Sequence, residues 1–93
     1  MEIKTPRDEI VEALKELGVK PRTKYGLVYF KTNDGRYFSV LLAKSVVPNK
    51  LSFAIRRTNF FKGRKSVTVI HKDLYENPQQ VIKALRKYQI LNG

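Results

Sequence analysis

The chain has 93 residues, no cysteine, 42% hydrophobic and 11% aromatic residues, and a formal charge of +11. That length holds one domain, residues 1–93, with one small core, and the apolar content is too high for a disordered basic tail. A disulfide framework and a cysteine zinc site are excluded, no apolar run approaches the ~18 residues of a membrane span, and Met1–Pro6 lacks the apolar core of a secretion signal, so a soluble, cytoplasmic protein with no membrane partner is expected.

The first predicted element is a helix. Thr5 suits its N-cap, Pro6 its first position, and Asp8 stands three residues after Thr5 as in a capping box. Ile10, Val11, Leu14 and Leu17 form one apolar stripe, and Asp8, Glu9, Glu12 and Glu16 face water. Gly18 suits the position after the C-cap, and Pro21 forbids continuation.

Two strands follow, Lys24–Lys31 and Arg36–Lys44, joined through Thr32-Asn33-Asp34-Gly35. Gly35 in the left-handed region after a type I turn gives a three-residue loop that pairs Thr32 with Arg36, Phe30 with Phe38 and Val28 with Val40. This register sorts Gly26, Val28, Phe30, Phe38, Val40 and Leu42 onto one face. The other face holds Tyr25, Leu27, Tyr29, Lys31, Tyr37, Ser39, Leu41 and Ala43. A two-residue Asp-Gly turn would pair Phe30 with Ser39 and mix the faces.

Residues 45–50 read as a loop. A third strand, Leu51–Thr58, puts Leu51, Phe53 and Ile55 inward and Ser52, Ala54 and Arg56 outward. Residues 59–65 read as a basic loop carrying Phe60 and Phe61, either ligand-facing or tucked beneath the loop. A fourth strand, Ser66–His71, has Val67 and Val69 inward and Ser66 and Thr68 outward, and 73–76 reads as a short turn. The last element is a helix capped by Asn77, with Pro78 first, Gln80 completing a reciprocal cap, and Val81, Ile82, Leu85 and Tyr88 facing the core. Lys83, Arg86 and Lys87 lie on its wet side.

The expected class is α+β, an antiparallel sheet of three or four strands with both helices on one face in the order α-β-β-β-β-α. The opposite face is left for solvent or a partner. Residues 21–72 hold twelve Lys/Arg and one acid, Asp34, whereas the flanks hold seven basic and seven acidic residues. Positive charge is thus gathered on the sheet and the helices are near neutral, the footprint of a polyanion binder. Lys31, Arg36, Arg56, Arg57, Lys62, Arg64 and Lys65 are the candidate phosphate contacts. Tyr25, Tyr29 and Tyr37 suit base stacking, and hydroxyls suit the ribose 2′-OH. Leu27, Leu41 and the tyrosines are also apolar enough for a homodimer seam on the open face, and a sheet edge offers another.

Catalysis has little support. His71 is the sole histidine, and with Asp73 and Glu76 its spacing matches no metal-ligand signature. No catalytic residue, metal, cofactor or small-molecule substrate is expected.

The amphipathic first helix, the stretch Val28–Arg36, the basic run around Lys62-Gly63-Arg64-Lys65-Ser66-Val67 and the terminal helix Pro78–Tyr88 resemble, in their order, the small Alu-domain subunits of the signal recognition particle. Those proteins are compact α-β-β-β-α RNA binders that dimerise through their sheets and grip folded RNA with a basic sheet face. The resemblance implies Lys31, Arg36, Arg56, Arg64 and Lys65 as RNA contacts. Double-stranded-RNA-binding domains and small antitoxin-paired ribonucleases share the layout; the latter use a first-strand histidine that Lys24-Tyr25-Gly26-Leu27 lacks. The expectation is therefore a noncatalytic domain for structured RNA. The alternatives are a DNA-binding regulatory or architectural protein, a small metal-dependent nuclease using His71 and Asp73, and a module for an acidic protein partner.

Overall fold

A computed structural model describes residues 5–88 and 90–91. Its elements run α1 (Pro6–Glu16), β1 (Arg22–Lys24), β2 (Leu27–Lys31), β3 (Tyr37–Lys44), β4 (Leu51–Phe61), β5 (Arg64–Tyr75) and α2 (Pro78–Lys87). The strands form one antiparallel meander in the order β1-β2-β3-β4-β5. The α+β class and the helix–sheet layering are those the sequence indicates, with a fifth strand added. One apolar cluster joins Ile10 and Leu14 of α1 and Val81, Ile82 and Leu85 of α2 to Val28, Phe30, Phe38, Val40, Phe53, Ile55 and Tyr75 of the sheet. Both helices therefore bury their stripes on the same sheet face.

The first helix is built as its caps require. The Asp8 N–H donates to Thr5 Oγ1 at 3.2 Å, and the Thr5 N–H donates to Asp8 Oδ2 at 3.3 Å, a complete capping box. At the other end Gly18 takes φ +83°. The Gly18 N–H reaches the Lys15 carbonyl and the Val19 N–H the Leu14 carbonyl, a Schellman closure that also lays Val19 beside the core.

The β2–β3 register is the sorted one: Phe30 pairs with Phe38 and Val28 with Val40. The Thr32 N–H donates to the Arg36 carbonyl at 2.9 Å, and Gly35 has φ +87°.

Four local readings are corrected. The stretch Lys24–Lys31 is not one strand: Tyr25 and Gly26, at φ +52° and +76°, form a two-residue hairpin turn that folds Arg22–Lys24 back onto β2 as a short edge strand. Residues 59–65 are not a loop: β4 runs on to Phe61, Lys62-Gly63 turns in the same left-handed way, and β5 begins at Arg64. In β5 a bulge falls opposite the Ile55/Arg56 step. Ile55 pairs with His71 and Arg56 with Val69, leaving Ile70 as the extra residue. The bulge reverses the alternation, so Val67 and Val69 point away from the helices, and Ser66 and Thr68 toward their side. Beyond it, 73–76 is no turn; the strand continues to Tyr75, which is only 1% exposed in the core.

In α2, Asn77 sits at the N-cap with no side-chain capping bond, and Gln80 Oε1 accepts instead from the Glu76 N–H at 2.7 Å. Tyr88 is at the C-cap, half exposed rather than core. Ile90 and Leu91 fill that end of the core, their N–H groups closing on the Leu85 carbonyl.

A candidate nucleic-acid interface on the open sheet face

Strand pairing places side chains of the uncovered face in transverse rows. One row reads Arg22, Tyr29, Ser39, Arg56, Val69 across all five strands. Below it lies Lys24, Leu27, Leu41, Ala54, Lys72. Above it Lys31, Tyr37, Thr58 and Val67 form a row, followed by Phe60 and Lys65 on the projecting β4–β5 hairpin.

The rows resolve into three longitudinal zones. Arg22, Lys24 and Lys31 line the β1–β2 side, Lys65 and Lys72 line β5, and Arg56 stands between them. The middle carries Leu27, Tyr29, Tyr37, Leu41 and Phe60. No strand residue on this face is acidic, and none of the six cations forms an ion pair with a described residue. The Tyr37 and Phe60 rings meet edge-on at 5.3 Å between centroids. Lys31 Nζ stands 5.4 Å from the Tyr37 ring centroid, within cation–π range. Phe60 is 59% and Tyr37 41% exposed.

Of the ten contact residues expected from sequence, Lys31, Arg56, Lys65, Tyr29 and Tyr37 come together here. Lys62 lies at the tip of the hairpin. The other four do not join them. Tyr25 occupies the β1–β2 turn, with Lys24 Nζ 5.3 Å from its ring centroid. Arg57 pairs with Phe38, and Arg64 with Phe61, so both lie on the helix side. Arg36 is on the helix side too. Its Nε donates to Asp34 Oδ2 at 2.7 Å, and its guanidinium carbon is 5.3 Å from the Phe38 ring centroid. That bond, first, and one from the Thr32 hydroxyl, second, hold the Asp34 carboxyl down at about 2.

The hydroxyl display also shrinks. Ser39 and Thr58 are on the open face but buried, the Ser52 hydroxyl donates to the Ala43 carbonyl at 3.3 Å, and Thr68 accepts from Asn59 Nδ2 on the helix side. Sequence reasoning missed Arg22, Lys24 and Lys72 as members of this face. The period-2 cations of Arg22-Thr23-Lys24 carry the signal for the first two; Lys72 becomes legible only once β5 is seen to run past His71 to Tyr75. Phe60 and Phe61 both lie outside the core, on opposite faces, with Phe61 72% exposed.

The helix layer is not uniformly neutral. Within α1, Asp8, Glu9, Glu12 and Glu16 outnumber Arg7 and Lys15, whereas α2 carries Lys83, Arg86 and Lys87 with no acid. Positive charge therefore continues around the β5 edge onto α2.

His71 lies at that edge. Its Nδ1 shares a hydrogen bond of 3.0 Å with the Tyr88 hydroxyl, and Nε2 is 3.8 Å from Asp73 Oδ2. Glu76 turns instead to Lys50, whose ammonium lowers its carboxyl's titration. Among the described residues no group of three or more His, Cys, Asp or Glu is placed to hold a metal ion, and no helix is long and apolar enough to cross a membrane. No protein-family model matches the chain, and comparison with curated proteins and with solved structures yields no match.

Proposed function

We propose that this chain is a noncatalytic nucleic-acid-binding domain whose ligand is structured RNA in preference to DNA, held on the open sheet face. One observation carries the reading: six cations and no acid share a face with exposed aromatic rings. Lys and Arg neutralise phosphates and release condensed counterions, and tyrosine and phenylalanine offer surface to bases. Helices at both ends of a meander are in keeping with the resemblance to the Alu-domain subunits, here with five strands in place of three.

The same charge argues against a second copy on this face. Two-fold pairing would bring Arg56 and the flanking lysines against their own kind with no carboxylate between them, and like charges in apposition are repulsive. The β5 edge is likewise guarded by Lys65, Lys72 and a bulge, features that keep edge strands from pairing.

The test is affinity as a function of salt for matched RNA and DNA. Each phosphate contact on a single strand contributes about 0.7 to the log–log slope, so six contacts give roughly −4. Affinity for RNA above that for DNA is the expected result. A flat salt response would overturn the phosphate-contact reading, and affinity no better than that of a charge-matched control protein would favour an acidic protein partner instead.

A further inference from the structure

We infer that the segment of RNA seated on this face is unpaired, with its bases stacked on Tyr37 and Phe60 and its phosphates on the flanking cations; this rests on the nucleic-acid reading above.

The middle of the face is what discriminates. A ligand that contacted the protein by phosphates alone would need only cations, yet the space between them is filled by Leu27, Tyr29, Tyr37, Leu41 and Phe60. A duplex presents phosphate and sugar outward and keeps its base faces stacked inside, so it has nothing apolar to lay on a ring that is 59% exposed. Unstacked bases have such faces, and each base–aromatic stack is worth about 1–3 kcal/mol.

Geometry supports the same ligand. The Tyr37–Phe60 edge contact fixes the two rings against each other, so little side-chain freedom is lost on binding. Lys31 beside Tyr37 and Lys65 paired with Phe60 set a cation next to each ring, where the phosphate of a stacked nucleotide would lie. Further along the face, Leu41, Ser52, Ala54, Lys72 and Leu74, together with Phe53 and Asp73, line a shallow depression of about 430 Å³. Its floor is again largely apolar, with Lys72 and Asp73 at its margin. From Tyr37 to Leu41 is four residues along β3, about 13 Å, so both places belong to one track.

The experiment compares an unstructured RNA of about 15 nucleotides, within the span of known single-strand sites, with the same strand annealed to its complement. Binding is followed by fluorescence anisotropy at fixed salt. The expected result is at least about tenfold tighter binding of the single strand, with Phe60→Ala and Tyr37→Ala each weakening it five-fold or more and leaving the duplex unchanged. Phe60→Tyr keeps a ring and retains affinity; Phe60→Leu is apolar without one and loses it. Phe61→Ala, on the other face, changes nothing. Thermal melts confirm that each variant is folded. Equal or tighter binding of duplex, or full affinity in Phe60→Leu, overturns the unpaired-strand inference while the nucleic-acid reading stands. Binding of neither RNA overturns the reading itself, and a dimer that dissociates on Phe60→Ala without binding RNA assigns the strip to a second copy.

Discussion

The two faces of this sheet come from the same strands and obey opposite chemistry. On the helix side Phe38, Val40 and Ile55 are buried in the core. One residue along, Tyr37, Leu41 and Arg56 look the other way into open space. Nothing in the backbone distinguishes the faces; only side-chain parity does. The helix-side face gains stability from burying its side chains in the core. The open face leaves apolar rings and unpaired cations in water, which a surface made only for solubility has no reason to hold together.

Neighbouring substitutions break that comparison most sharply. Phe38→Ala empties a site that is 2% exposed and should cost about 3–5 kcal/mol. Tyr37→Ala should cost about 1 kcal/mol or less. Urea unfolding of the two variants measures the contrast. Comparable losses would mean that the open face is a second core.

A smaller effect belongs to the β2–β3 turn. Asp34 is held at about 2 against an ordinary value of 3.8. A lowered carboxyl adds stability above its unfolded value and loses it as pH falls through the folded one. The stability gap between the wild type and Asp34→Asn is therefore expected to be full above about pH 4 and to close toward pH 2. Urea midpoints across that range measure it, and a gap that persists at the acid end contradicts the Arg36 and Thr32 pairing as its source.

The smallest expected change comes from deleting Ile70. Val69 would then join His71 with both halves of β5 keeping their faces, so stability should move by about 1 kcal/mol or less and RNA affinity should hold. Unfolding of the deletion variant would show that the bulge sets a bend the core needs.

How far the sequence foretold this molecule depends on where alternation was unbroken. In Phe30-Lys31, Phe38-Ser39-Val40 and Leu51–Ile55 apolar side chains alternate with polar or small ones, and pairing Phe30 with Phe38 and Val28 with Val40 sorts the faces, from which the register and the three-residue loop follow. The Thr5–Asp8 box and Gly18 likewise announced both ends of α1. The failures have three physical causes. Left-handed two-residue turns are ordinarily signalled by Asn-Gly or Asp-Gly, but here Tyr25 and Lys62 take the first position, hiding one hairpin inside an apparent strand and another inside an apparent loop. The adjacent β-branched pair Val69-Ile70 marks a bulge, and without it every β5 residue on one side of that step is assigned to the wrong face. This is why Val67 and Val69 read as inward. A third cause hides Lys72 and Tyr75: His71-Lys72-Asp73-Leu74-Tyr75-Glu76 has no apolar alternation, so the strand reads as ending at His71 and 73–76 as a turn. For the site, residue type revealed the cations but not their direction: Arg56 and Arg57 look identical in sequence and lie on opposite faces.

That pair also gives the most direct test. Arg56→Ala and Arg57→Ala remove the same charge one residue apart, so any effect of net charge is equal in the two. If the open face is the ligand surface, Arg56→Ala should weaken RNA binding several-fold and lower the salt slope by about 0.7–1, with Arg57→Ala near wild type. Equal losses in both variants, or the larger loss in Arg57→Ala, would contradict the assignment of binding to this face.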